Sequence, residues 1–297
     1  MAGETPVAFL GAGLMGAPMA ARLIDASFPV RVWNRTEEKA KALAEKGAKF
    51  CSNAGEAVHG AKFVCVCLTD ARAIESVIFG EVVKHLMQGA IIIDFSTIGV
   101  DAARDFAARV SAADVAWLDC PVSGGVAGAT AGSLSIFAGG DASALEQAQP
   151  LLDCVAVRVT HLGDAGAGQA AKLCNQLIVS TSLVAIAEAL ALAGNLGVDA
   201  ERLVGALAGG FADSKPLQIF GPRMAQASDP GPKVAEIATM TKDVEAIAQT
   251  AAALPITTPL LDRVRSLYAR AFQAGLGQDD LPALIRLYRD NLVQDFP

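Results

Sequence analysis

Two hydrophobic periods alternate through the first half of the chain, and only one persists through the second. Short continuous apolar runs at Val7–Leu10, Val30–Trp33, 63–68 and Ile91–Asp94 are too brief for helices and too unbroken for half-exposed strands. They read as strands buried on both faces. The stretches between them, including 16–26 and 37–46, space their apolar residues three and four apart, as helices do. Strict alternation of the two predicts an α/β fold built on a doubly wound parallel sheet. Apolar runs at 115–120 and Leu134–Ala138 read as later strands of the same sheet, and 155–162 as its last.

After Gly163 the character changes. From Gly166 onward the apolar spacing is helical throughout, with Gly209-Gly210, Pro216, Gly221-Pro222 and Pro230-Gly231-Pro232 punctuating the helices. Two domains are expected: an α/β domain over 1–164 and an all-helical domain over 165–297. The stretch 177–198 is long and apolar enough to pass as a membrane span, but it contains Glu188, Asn195 and several hydroxyl residues. A buried central helix fits better than a membrane segment. This helix is longer than a small domain needs, so part of it is expected to be covered by a second copy of the chain, giving a homodimer or homotetramer.

Composition narrows the function classes. The 297 residues are 53% hydrophobic with a mean hydropathy of +0.40, and much of the apolar content is alanine, which suits packed α/β layers. A formal charge of −7 and a pI near 5.0 argue against nucleic acid as a main partner, and no basic block suggests a membrane surface. Six cysteines show no CxxC or metal spacing and sit mostly in apolar contexts, as reduced core residues of a cytoplasmic protein would. The chain enters its first strand at Val7 without a charged leader, so no signal peptide is expected. His59, His85 and His161 have no metal-ligand spacing and lie outside every motif.

Chemistry first shows in Gly11-Ala12-Gly13-Leu14-Met15-Gly16, which follows a strand and opens a helix. In that context GxGxxG reads as the phosphate loop of a Rossmann-type dinucleotide site. The first glycine permits the turn, the second lets backbone approach a pyrophosphate, and the third packs helix on strand. The helix N-terminus supplies amides and a positive dipole. At the end of the second strand, where an acidic residue would select NAD, the chain has Asn34-Arg35-Thr36. A guanidinium there can pair with a 2′-phosphate, so NADP(H) is favoured. Leu68-Thr69 and Ser96-Thr97 follow later strands and are candidates to line the nicotinamide ribose, although helix caps would look the same.

Asp119-Cys-Pro-Val-Ser123-Gly124-Gly125 lies at the carboxyl end of a strand, where open α/β sheets bind ligands. Ser123 with the amides of Gly124 and Gly125 can form a small anion site for a substrate carboxylate. In Gly166-Ala-Gly168-Gln-Ala-Ala-Lys172-Leu-Cys-Asn175, Lys172 and Asn175 are three residues apart and share one helix face. An isolated lysine there would be read as snorkelling. A nearby cofactor and carboxylate site give it work as a proton donor. Lys242-Asp243 is a late charged pair, equally readable as a cofactor contact or a surface ion pair.

Taken in order, Phe9 to Gly16, Asp119 to Gly125, Gly166 to Asn175 and Thr241-Lys242-Asp243 resemble the β-hydroxyacid dehydrogenase family over nearly the whole chain. The resemblance implies that Lys172 is the catalytic lysine, Ser123 and Gly124 the substrate-carboxylate loop, and Thr97 and Lys242 cofactor contacts. Asn175 looks like the residue that orients substrate, although some members place it four residues after the lysine, where this chain has Gln176. Gly209-Gly210-Phe-Ala-Asp-Ser214 and Asn34-Arg35 look closer to the tartronate semialdehyde and glyoxylate reductases than to 3-hydroxyisobutyrate dehydrogenases. Several semialdehyde-reducing relatives carry an aromatic residue seven positions before the late lysine, whereas this chain has Ala235. The implied activity is NADPH-dependent reduction of a small carboxylate-bearing aldehyde or keto acid. Oxidation of a 3-hydroxy acid is the enzymatic alternative, and a non-catalytic NADP-binding regulator the alternative of another class. Imine reductases on this scaffold usually replace the lysine, so Lys172 argues against that chemistry.

Overall fold

The computed structural model describes residues 6–226 and 233–293, so Pro230-Gly231-Pro232 lies outside the described residues. The chain divides into two compact units, Met1–Lys172 and Leu173–Pro297.

In the first unit β1 (Val7–Leu10), β2 (Val30–Trp33), β3 (Lys49–Phe50), β4 (Phe63–Val66), β5 (Ile91–Asp94) and β6 (Ala116–Asp119) form one parallel sheet in the order β3-β2-β1-β4-β5-β6. Its helices are α1 (Gly16–Asp25), α2 (Glu37–Ala44), α3 (Ala54–Val58), α4 (Ala71–Ile74, continuing as a π-helical stretch Glu75–Val82), α5 (Val100–Ser111), α6 (Gly125–Ala131) and α7 (Ala142–Val155). Successive strand residues face opposite sides of the sheet. Phe9, Cys65 and Ile93 therefore pack with Met19 and Leu23 of α1, Leu43 of α2 and Leu152 of α7. Leu10, Val66 and Ile92 pack on the other face with Val58 of α3, Ile78 of the π-helical stretch after α4, and Phe106 of α5. Two cores, one per face, explain why the strands read as unbroken apolar runs. The order reverses between β1 and β4, so loops leaving their carboxyl ends diverge and open the crevice where such sheets bind ligands.

The strands at Leu134–Ala138 and 155–162 do not extend this sheet. β7 (Val122–Ser123), β8 (Leu134–Ala138) and β9 (Ala156–His161) make a separate three-stranded sheet, with β7–β8 antiparallel and β8–β9 parallel. Among the described residues the isolated bridge Asp119↔Gly139 links the two sheets. Pro121, which has no N–H to give a ladder, ends the run after β6 and offers its carbonyl to Phe137 instead.

The second unit continues α8 (Ala167–Asn195) and adds α9 (Ala200–Leu207), α10 (Lys215–Ala225), α11 (Ile237–Ala252), α12 (Pro259–Ala271) and α13 (Arg286–Arg289). Among the described residues it holds no strand, only the bridge Glu236↔Asp280. Side chains cap its helices: Asp199 accepts the amides of Glu201 and Arg202, and Ser214 that of Leu217. Asp280, buried beside Arg223 at 2.6 Å, accepts the amides of Val234 and Ala235. Gly221-Pro222, expected as a break, lies inside α10. A Cβ on Gly221 would sit 3.1 Å from both Leu217 and Val204, so the bare α-carbon serves close helix packing there.

The first unit takes in the opening turns of α8, past the expected 164/165 boundary, because those turns are hydrogen-bonded to the strand ends of the sheet. By length and composition α8 is apolar enough to cross a membrane, as core helices of soluble proteins also are, with a mean hydropathy of 2.0 in its most apolar window. Only 39% of that window is buried in this chain, less than a buried central helix would show.

Candidate active site

The Gly11–Gly16 turn is built by three glycines with three different surroundings. Gly11 has φ +105°, and a Cβ there would run into the Cys67 carbonyl. Gly16 lies so close to Gly11 that a Cβ would strike its carbonyl oxygen. Gly13 has nothing within 4 Å of where a Cβ would stand, which leaves open space over the middle of the loop. No side chain caps α1; in its first turn Ala17 donates to the Gly13 carbonyl, Pro18 has no N–H and Met19 donates to the Met15 carbonyl, which leaves the Gly16 amide for a ligand. A pyrophosphate fits this arrangement.

Asn34 braces the loop from β2. Its Oδ1 accepts the Ala12 amide at 2.9 Å, and its Nδ2 donates to the Thr36 carbonyl at 2.8 Å. The second bond explains the amide in place of a carboxylate, which has no hydrogen to donate. Between the two anchored residues Arg35 is exposed, as is Thr36. Leu14 is exposed at the loop tip, while Met15 immediately precedes α1.

The loops after β4 and β5 are stitched together by Ser96, whose Oγ accepts the Leu68 amide at 2.9 Å and whose own amide donates to Asp94 Oδ1 at 2.9 Å. Asp70 caps α4, so Thr69 is exposed without serving as the cap. Thr97 is exposed as well. Burial pushes the Asp94 carboxyl up to about 7, helped by the charge of Asp119 and opposed by the Ser96 hydrogen bonds. The thiols of Cys65 and Cys120 are likewise driven up by burial, and that of Cys67 to about 12, so these three do not ionise near neutrality.

Lys172 stands half-buried on α8, and its Nζ donates to the Val122 carbonyl at 2.9 Å. Val122 precedes Ser123, the last residue of β7, and the chain then turns through Gly124 at φ +134° and Gly125 at φ +62° into α6 with no side-chain cap. A lysine ammonium is thereby held next to a loop with exposed amides.

The start of α8 is fixed by Asp119. Its carboxylate accepts the Gly166 amide at 2.7 Å and the Gln169 amide at 2.8 Å, serving as an N-cap supplied from the end of β6. A Cβ on Gly168 would strike the Asp119 and Phe137 carbonyls, and one on Gly139 would lie 2.6 Å from Asp119 Oδ1. Burial raises the Asp119 carboxyl, and the amides it accepts oppose that rise. Gln169 is 1% exposed, with Nε2 donating to the Ser96 carbonyl at 2.8 Å and Oε1 accepting the Ile98 amide at 3.1 Å.

In the second unit, Asn175 Nδ2 donates to Gln176 Oε1 at 3.0 Å, and Gln176 Nε2 to Asp243 Oδ2 at 2.5 Å. A carboxylate only accepts, so Asp243 fixes the orientation of both amides. Gln176 is thus engaged at both ends. Lys242 is exposed beside Asp243 on α11.

Comparison with known proteins decides the family. Residues 6–163 match the family described as the NAD binding domain of 6-phosphogluconate dehydrogenase. Residues 166–288 match that described as the NAD-binding of NADP-dependent 3-hydroxyisobutyrate dehydrogenase. The 2-hydroxy-3-oxopropionate reductase of Escherichia coli is 34% identical over 281 residues, covering 94% of this chain and 95% of its own. The NAD-dependent L-serine dehydrogenase of Pseudomonas aeruginosa is 32% identical, covering 95% of this chain and 97% of its own. The structure of Mycobacterium tuberculosis 3-hydroxyisobutyrate dehydrogenase with L-serine superposes with a TM-score of 0.87 at 35% identity, covering 96% of this chain and 99% of that one.

The chain belongs to the β-hydroxyacid dehydrogenase family. This dehydrogenase is an NAD(P)-dependent oxidoreductase acting on CH–OH donors. Three of its structural parts were not singled out by sequence: Asp119 as a helix cap, Gln169 as a bridge, and Asp243 as the anchor of two amides. Asp119 and Gln169 both lie inside the motifs that drew notice, and Gln169 stands one helical turn before Lys172.

Proposed function

We propose that this dehydrogenase reduces a small carboxylate-bearing aldehyde or keto acid, of the tartronate semialdehyde, glyoxylate or succinic semialdehyde type, with NADPH. The observation that carries the reading is the Lys172 ammonium held at the Val122 carbonyl, directly before the Ser123-Gly124-Gly125 turn. Bound NADPH supplies a hydride equivalent. Ser123 and the amides of Gly124 and Gly125 hold the substrate carboxylate, which sets where the carbonyl stands relative to the lysine. Lys172 Nζ gives its proton to the developing alkoxide and, while still charged, stabilises it. In the oxidative direction a neutral amine must accept that proton, so oxidation gains as pH rises.

Asn175, taken from the family resemblance, would orient the substrate oxygen through the second N–H of its Nδ2, whose first is given to Gln176 Oε1, with Gln176 as the alternative. On the cofactor side, Gly11 to Gly16 hold the pyrophosphate, and Arg35 pairs with the 2′-phosphate beside Asn34 and Thr36. Leu68, Thr69 and Thr97 line the nicotinamide side. Lys242 is carried into the cofactor set from the family resemblance. The Escherichia coli relative bears the name of one such reductase, which supports this substrate class. The relatives named for L-serine favour a second reading, oxidation of a 3-hydroxy acid with NAD(P). The weakly covered α8 supports assembly as a homodimer or homotetramer.

A panel of glyoxylate, tartronate semialdehyde, succinic semialdehyde, 3-hydroxyisobutyrate and L-serine, each run with both nicotinamide cofactors, tests the reading. Turnover of an aldehyde with NADPH above all other pairs is expected. Preferred oxidation of a hydroxy acid would select the second reading, and NADPH binding without any turnover the non-catalytic one.

A further inference from the structure

Thr97 is exposed, yet the backbone groups on both sides of it are held by one buried side chain. Gln169 Nε2 donates to the Ser96 carbonyl and Gln169 Oε1 accepts the Ile98 amide. A carbonyl only accepts and an amide N–H only donates, so the two partners fix which way the Gln169 amide faces. Two bonds spanning a single residue pin that residue as a neighbouring strand would, while leaving its side chain outward. Gln169 also stands three residues before Lys172, on the same face of α8, and its own backbone amide is held by Asp119. Ser96 extends the connection to the loop after β4 by accepting the Leu68 amide.

We propose that Gln169 is a positioning residue for the reduction, holding the Thr97 loop on the nicotinamide side in fixed register with Lys172 Nζ. The inference rests on the reductase reading above. Hydride delivery and proton delivery must converge on one carbonyl, and a displacement near 1 Å costs on the order of 10²-fold in rate. Here the two supports are separated by one rigid side chain, with neither left to find its place independently.

Gln169→Glu and Gln169→Met separate positioning from bulk stability. Glutamate keeps the shape and the acceptor for Ile98, but its carboxylate faces the Ser96 carbonyl with no hydrogen to give. Protonation restores that donor. The Q169E-to-natural ratio of kcat should therefore rise as pH falls from about 8.5 to about 5.5. Methionine removes both bonds, so Q169M should lose on the order of 10²-fold in kcat at saturating NADPH. Its KM for the aldehyde should stay within about threefold, and its primary isotope effect with deuterated NADPH should change. A Q169E ratio independent of pH would overturn the proposal. So would activity of Q169M lost only in proportion to its folded fraction, with an unchanged isotope effect. If the natural enzyme turns over no small aldehyde with NADPH, the reductase reading and this inference fall together. If it does and the variants match it, the inference alone falls.

Discussion

Lys172 Nζ lies 2.9 Å from the carbonyl oxygen of Val122, the residue just before Ser123. The proposed proton donor and the proposed carboxylate loop are therefore joined by a direct bond. Lys172→Ala should lower kcat on the order of 10²- to 10⁴-fold, the usual loss for a general acid. NADPH affinity, measured by quenching of intrinsic fluorescence, should stay within about twofold, because the lysine lies outside the Gly11–Gly16 turn proposed to hold the cofactor.

Asp119 accepts two amides at the start of α8 and is buried. Asp119→Asn replaces one acceptor oxygen with an NH2 group that confronts an N–H. A loss of about 1–3 kcal/mol in unfolding free energy is expected. Chemical denaturation measures it, and a variant as stable as the natural protein would refute the capping role.

Arg35 is exposed between two residues anchored through Asn34. Arg35→Ala should weaken NADPH by about 10- to 100-fold, the worth of a lost charge-assisted hydrogen bond, and leave NADH within about twofold. Steady-state KM values for the two cofactors give the comparison. Equal losses for both would remove Arg35 from 2′-phosphate recognition.

Asp94 is fully buried, and its carboxyl titrates at about 7 in the folded chain, above the ordinary aspartate range. Between the unfolded and folded values the native state holds a proton that the unfolded chain has released. This site's contribution to stability is thus fully present below about pH 4 and is lost as pH rises to about 7, by up to about 1.4 kcal/mol per pH unit. Asp94→Asn cannot titrate, so its stability relative to the natural protein should rise between about pH 5 and pH 8. Thermal melts at both values report the difference, and a constant gap would show that Asp94 titrates alike in both states.

The apolar window of α8 is 39% buried in one chain, with Ile178 and Leu192 among its exposed side chains. Light scattering should give a mass of at least twice that of the chain. Ile178→Glu with Leu192→Glu should shift it toward monomer, since a charge in a buried apolar contact is not tolerated. A monomeric natural protein would remove α8 as a subunit surface.

What was legible in sequence depended on how local the cause was. β1, β2 and β5 have the bounds their apolar runs suggested, because burial on both faces writes itself into consecutive residues. β3 passed unnoticed, since Lys49–Phe50 is two residues long and half polar. The second sheet was hidden because strand partners are chosen across the chain, and nothing within 134–138 says which neighbour it takes. Around the site, the glycine loop and the lysine helix carry recognisable spacing. The double bond from Gln169 does not, as its partners are backbone groups 71 and 73 residues upstream. Any residue at those two positions, proline excepted at the N–H donor, would present the same atoms.

The carboxylate that starts α8 comes from a residue 47 positions before the first amide it holds. A loop that long closes slowly, and only after β6 has found its place. The cap that precedes the Lys172 turn is therefore complete only once β6 is in place, whereas the far turns of α8 rest on contacts local to the helix. During refolding, helical signal should return ahead of turnover, and competence to transfer a proton should be among the last properties the chain acquires.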